Sequence, residues 1–220
     1  MNWQRRKSPG IPTVLLLVES SRASGRDLLR GIAEYARHHG PWAFHWEPGG
    51  FQEFSRRLSG FDADGIVLRD VEDLDAVRRH GIPAIVVGHS HHEAGGLANV
   101  ITDSREIAAM AAEHLIDCGF RSFAFVGYEG NPWSDERRDA FQQALGRSGW
   151  AAAVYQAARH RAARGRGAAG QRATWRAEQA SMAAWLRRLP LPTGVMACND
   201  DRAENVSEAC KRAGLRVPED

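Results

Sequence analysis

Cysteine is scarce in this chain. Cys118, Cys198 and Cys210 are far apart, odd in number and never spaced as CxxC. That pattern speaks against a disulfide framework or a thiolate metal site and for buried free thiols in a reducing compartment. An excess of one charge is also lacking: 29 Lys and Arg against 27 Asp and Glu leave a net charge of +2. So weak a bias is no electrostatic footprint for nucleic acid. No apolar run approaches the ~20 residues that a membrane span needs. The stretch "IPTVLLLV" behind the basic "MNWQRRKSPG" is short for a secretory core, and no small-residue cleavage site follows it. The expectation is a cytoplasmic protein with no membrane partner.

Cofactor and catalytic signatures are missing too. No GxxxxGK[ST] occurs, and no GxGxxG follows the first apolar run. The letters "GRGAAG" at Gly165–Gly170 match GxGxxG with neither a strand before nor a clear helix after, so the match is chance. No GxSxG elbow is present, and no His and Asp mark themselves as partners of Ser20 or Ser21. "HSHHE" at His89–Glu93 offers three imidazoles, but no matching Cys or carboxylate pair stands elsewhere, and a solvated loop accounts for it. The sequence therefore predicts no metal, no cofactor and no enzyme.

What is present is alternation. Short apolar runs at Thr13–Val18, Trp42–Trp46, Gly65–Leu68, Ala84–Val87, Ser122–Gly127, Ala152–Gln156 and Gly194–Cys198 read as strands. Apolar residues at i, i+3, i+4 and i+7 predict helices over Asp27–His38, Ser104–Cys118, Asp135–Arg147 and Arg202–Arg212, with Gly119 and Gly214 as stops. Strands of continuous apolar character separated by helices indicate a parallel sheet covered on both faces. In such sheets ligands sit outside the carboxyl ends of the strands. The polar clusters at Glu19–Arg22, Arg69-Asp70, Gly88–His92, Tyr128–Trp133 and Asn199–Arg202 fall there. Within "ESSRASGRDLLRGIAEY", Ser24 and Asp27 have the spacing of a capping box. The Ala-, Gly- and Arg-rich segment 157–179 reads as a long exposed loop. "VPED" at the end reads as a connection into a further strand, which implies either a fragment of a longer protein or a last sheet short of strands.

Several stretches carry a resemblance. "MACNDDRAENVSEACKRAGLRVPED" resembles the "AxND…A…A…GLxVPED" signature of the sugar-responsive regulators of the lactose-repressor family. "VITDSREIAAMAAEHLIDCGFRSFAFVG" and "ERRDAF" resemble further blocks of that family, in the same order, with Ala140 where the family often has Gly. "LLLVESSRASGRDLLRGIAEYAR", "NPWSDERRDAF" and "MACNDDRA" together are similar to the bacterial xylose-operon regulators. In these a sugar-sensing domain precedes an AraC-type pair of helix-turn-helix motifs.

The resemblance implies an α/β fold of the type I periplasmic-binding-protein kind. Its two lobes would each hold a parallel sheet flanked by helices: residues 1–12 as a tail, 13–127 as the first lobe, 128–220 as an incomplete second. It implies a pentose, D-xylose, in the interlobe cleft. It further implies a homodimer, and operator DNA held by a region outside this chain. By position in the family's motifs, Arg26, Asp103, Trp133, Arg137, Asn199 and Asp200 would meet the sugar, with Ser20 and Ser21 as weaker candidates. Bland roles compete: Asp200 as a helix N-cap, Arg137 as a solvated helix residue, Trp133 as packing. The alternatives to a regulator are a sugar-binding protein for transport and an α/β enzyme acting on a sugar.

Overall fold

The computed structural model describes residues 10–54, 61–69, 74–88, 96–158 and 168–220. The chain divides into two compact units, Met1–Thr102 and Asp103–Asp220.

The first unit runs β1 (Thr13–Leu17), α1 (Ala23–His39), β2 (Ala43–Trp46), α2 (Gly50–Phe54), β3 (Gly65–Arg69), α3 (Leu74–Arg79), β4 (Ala84–Val87) and β5 (Ala98–Val100). Its sheet has the order β2-β1-β3-β4-β5 with parallel pairing throughout. The chain steps from β1 out to β2, then back across β1 to β3. That reversal makes the gap between β1 and β3 a switch point, where α/β sheets open a crevice. Leu15, Leu17, Ile66, Leu68 and Val86 pack with Phe51, Phe54 and Val77 of α2 and α3. Parallel strands need such cover because both faces are apolar.

The second unit runs α4 (Ser104–Asp117), β6 (Phe123–Glu129), α5 (Pro132–Arg147), β7 (Ala152–Ala158), α6 (Ala168–Leu186), β8 (Gly194–Ala197) and α7 (Asp200–Ala213). The sheet order is β7-β6-β8, again parallel, with the switch point between β6 and β8. One face carries Phe123, Phe125 and Met196 against Ala108, Phe141 and Leu145 of α4 and α5. The other carries Val126 against Met182, Leu186, Val206 and Ala209 of α6 and α7. Phe141 and Leu145 are fully buried, four residues apart on α5 as a helical stripe requires.

The α/β fold with parallel sheets flanked by helices is as the sequence predicts. Several details differ. The units divide after Thr102, not after Gly127, because β6 pairs with β7 and β8 and shares no ladder with β4 or β5. The helix predicted from Asp27 begins at Ala23. Its N-cap, Arg22, makes no side-chain cap bond, and no capping box forms. Ser24 Oγ instead accepts from Arg69, and Asp27 pairs with Arg30.

Residues 168–179 are helical, not loop. They form the first part of α6, where Ala and Arg favour helix even with half the turns exposed. Ala157 and Ala158 close β7, and residues 159–167 lie outside the described residues. β5, α2 and α3 span three to six residues each, too few to show a period, and the sequence pattern left them unassigned. Cys118 is exposed rather than buried; Cys198 and Cys210 are buried free thiols.

Candidate functional site

Each unit presents its polar residues at the carboxyl ends of its strands. In the first unit the loop after β1 closes on itself. The guanidinium of Arg26, on α1, donates to the carbonyls of Ser20 and Ser21 at 2.9 and 2.8 Å. Ser21 Oγ donates to the Glu19 carboxylate. Arg69, at the end of β3, reaches across the switch point to Ser24 Oγ at 2.9 Å. Gly25 lets the helix start so close to the loop: a Cβ there would lie 1.9 Å from the carbonyl oxygen of Glu19. Arg26, Ser20 and Ser21 are therefore brought together as a tied loop. Each has a structural task; Arg26 and Ser21 stay exposed and Ser20 is half-buried.

In the second unit the arrangement is denser. Asn131 opens α5 and is buried; Pro132 stands in its first turn, where a missing N–H costs nothing. Trp133 follows, half-buried, with its ring edge-on to Tyr128 at 6.4 Å. One turn on, Arg137 is buried at 7% exposure and lies over the Trp133 ring at 5.2 Å. Its Nη1 donates to the carbonyl of Cys198 at the end of β8, so this side chain crosses the second switch point. Burial pulls the Arg137 guanidinium pKa down, while Cys198, Asp200 and Glu136 hold it up. Arg137 is thus no solvated helix residue.

Asn199 follows directly and caps α7: its Oδ1 accepts from the backbone of Arg202 at 3.0 Å. The N-cap role weighed for Asp200 falls to Asn199. Asp200 is the first residue of the helix, exposed, with its carboxylate free of the cap. Acidic residues at this end suit the helix dipole. Asp103 also caps a helix: its Oδ1 accepts from the backbones of Arg105 and Glu106 at 2.9 and 3.1 Å, which accounts for it at the start of α4.

The structure therefore gathers Trp133, Arg137, Asn199 and Asp200 at one end of the second sheet. An aromatic face, a buried cation, an amide and an exposed carboxylate are the groups that recognise a polyol: planar donors and acceptors for hydroxyls, and a ring for C–H faces. A groove of about 550 Å³ runs along the outer edge of β8 and shares Arg137, Asn199 and Asp200 with this cluster. Elsewhere Ile107, Leu115, Phe120, Val206 and Leu215 line it. It follows the flank of an edge strand, and only its polar end has the chemistry of the strand-end site.

Sequence reasoning missed Arg202 and Glu178. Arg202, on α7, is fully buried, paired with Glu178 of α6 and set over Tyr128 at 4.6 Å and Tyr155 at 5.9 Å. The signal was available: Arg202 stands four residues before Val206 and seven before Ala209, on the buried stripe of its helix. No group of three or more His, Cys, Asp or Glu among the described residues could hold a metal ion. His89–Glu93 lies outside those residues. No described helix is long and apolar enough to cross a membrane.

Comparison with known proteins adds a family context. Residues 112–220 match the family model of the periplasmic binding protein-like domain. A xylose operon regulatory protein of Haemophilus influenzae is 28% identical over 94% of this chain and 53% of its own length. Its counterpart from Escherichia coli K12 is 27% identical over 94% of this chain and 52% of its own. The chain thus spans about half the length of the curated relatives it matches. A solved structure of a xylose-binding transcription activator superposes with a TM-score of 0.74 at 24% identity, covering 96% of this chain and 52% of the other. That likeness establishes the fold the two share.

Proposed function

We propose that this chain is the ligand-sensing part of a sugar-responsive transcription regulator and that it binds a pentose, D-xylose. The observation that carries the reading is the cluster at the carboxyl ends of β6 and β8. There Arg137 lies over Trp133 beside Asn199 and the exposed carboxylate of Asp200. The similarity to xylose operon regulators over nearly the whole chain supports it. Asp103, Arg26, Ser20 and Ser21 belong to the reading as further sugar contacts: the cap uses only Oδ1 of Asp103, and Arg26 holds the backbone carbonyls of the two serines, not their hydroxyls.

Binding involves no chemical turnover. The sugar shifts a pre-existing equilibrium by no more than its difference in affinity for the two states. In this reading operator DNA is engaged by sequence beyond these 220 residues, the protein acts as a homodimer in the cytoplasm, and the chain is not an enzyme.

Isothermal titration against D-xylose, D-ribose, L-arabinose and D-lyxose tests the proposal. D-Xylose is expected to give saturable heat. Arg137→Met and Asp200→Ala should each weaken it by roughly 10- to 150-fold, the worth of a charge-assisted hydrogen bond of about 1.5–3 kcal/mol. A folded wild-type chain that gives no heat with any of the four pentoses overturns the reading.

A further inference from the structure

Arg202 is a cation with almost no exposed side chain, and the sugar reading makes no use of it. Its Nη1 is paired with Glu178, whose side chain is 11% exposed. Its Nε and Nη2 are buried and meet no hydrogen-bond acceptor among the described residues. Burying a guanidinium with only part of its donors satisfied is costly, and apolar residues of similar volume commonly serve stability as well. Packing alone is therefore a weak reason to find it there. What Arg202 touches is more informative. Its backbone N–H closes the Asn199 cap at 3.0 Å, and its guanidinium lies over the Tyr128 ring at 4.6 Å. That ring meets Trp133 edge-on, and Trp133 in turn lies under Arg137.

We infer that Arg202 is a positioning residue for the strand-end site: fastened to α6 through Glu178, its guanidinium fixes the plane of Trp133 through Tyr128. The inference rests on the sugar reading for its purpose, but its geometry stands independently. Guanidinium, phenol, indole and guanidinium form one continuous chain of contacts from α7 to α5, with α6 holding the far end. A rigid indole is pre-ordered for a ligand, which removes part of the ordering cost of binding. A shift of α6 would reach the indole through the same contacts.

The test uses the full 220-residue chain labelled with 5-fluorotryptophan. The Trp133 fluorine line is assigned by its loss in Trp133→Phe, and the Trp42 line in the first unit serves as control. Because Arg202→Met alone strands the Glu178 charge, the main variant is the pair Arg202→Met with Glu178→Met, which keeps the interior neutral. Folding is checked by circular dichroism. If the pair fails to fold, Tyr128→Leu carries the test, since it breaks the relay at the ring.

The Trp133 line is expected to shift or broaden in the paired variant while Trp42 stays put. In a Tyr128→Leu background the pair should move it no further, as coupling through that ring requires. D-Xylose should bind the paired variant about tenfold more weakly than the wild type. A Trp133 line unmoved in a folded variant overturns the inference, and so does an unchanged xylose affinity. If the wild-type chain takes no pentose yet the line moves as expected, the sugar reading fails and the positioning role stands.

Discussion

At the scale of single residues, two arginines show what local sequence can disclose. Arg137 precedes Phe141 by four residues and Leu145 by eight; Arg202 precedes Val206 and Cys210 by the same intervals. Both lie on the apolar stripe of their helices, and both are buried. Arg137 was legible through a motif. Arg202 was legible only to a reader who let a charged residue occupy a core position. The roles of Asn199 and Asp200 were not separable from sequence, since either side chain can cap a helix.

Burial also sets an alkaline limit. It raises the pKa of Tyr128, against the lowering effect of Arg202, and it raises those of Cys198 and Cys210. Each folded value lies above its unfolded one. The stability these groups contribute is complete below the unfolded values of 9.0 for Cys and 10.0 for Tyr, and it is lost as pH rises through the folded values. Melting temperatures measured from pH 8 to 11 should fall in the upper part of that range, and Tyr128→Phe should flatten the decline above pH 10.

At the scale of elements, helix starts decide which polar residues are available. α4 and α7 begin with side-chain caps from Asp103 and Asn199, whereas α1 begins with none. The start of α1 is held instead by Arg26 on two loop carbonyls and Arg69 on Ser24. The capping box read into Ser24 and Asp27 had the right letters two residues too late, because the N-cap is Arg22 and the chain enters the helix at Ala23, where Gly25 is still within reach of Glu19. Asn199→Ala should lower stability by about 1 kcal/mol through loss of the cap. Asp200→Ala, one residue on, should leave the melting temperature nearly unchanged while weakening sugar binding. Thermal denaturation of the two variants side by side separates the roles. Had both lost stability equally, the division between cap and ligand group would be wrong.

At the scale of the whole molecule, alternation of apolar runs and helical stripes was enough to reveal parallel sheet covered by helices, and the division into two sheets came from the family resemblance. The alternation did not reveal where one unit ends. The strand over 123–129 has the same apolar character whichever sheet it joins, and only its partners β7 and β8 place it in the second unit. The extent of α6 was hidden for a related reason. Among the described side chains its buried positions, Gln179, Met182, Ala183 and Leu186, fall in the second half, and the first half offers composition without a stripe. Three strand ends, by contrast, were legible. Apolar runs stop in polar clusters at Glu19, Tyr128 and Asn199, and the fold turns those clusters toward the switch points.

The three-stranded sheet has one further consequence. Among the described residues only β6 is bonded on both sides; β7 and β8 each face a ladder on one side alone. An amide exchanges with solvent when its hydrogen bond opens, and the slowest amides report the last structure to open. Deuterium uptake should therefore be slowest along Phe123–Gly127 and markedly faster along β7 and β8. β6 is then the spine on which the second unit's lifetime depends, and the two strands beside it are the ones whose breathing sets how often the site around Asn199 comes apart.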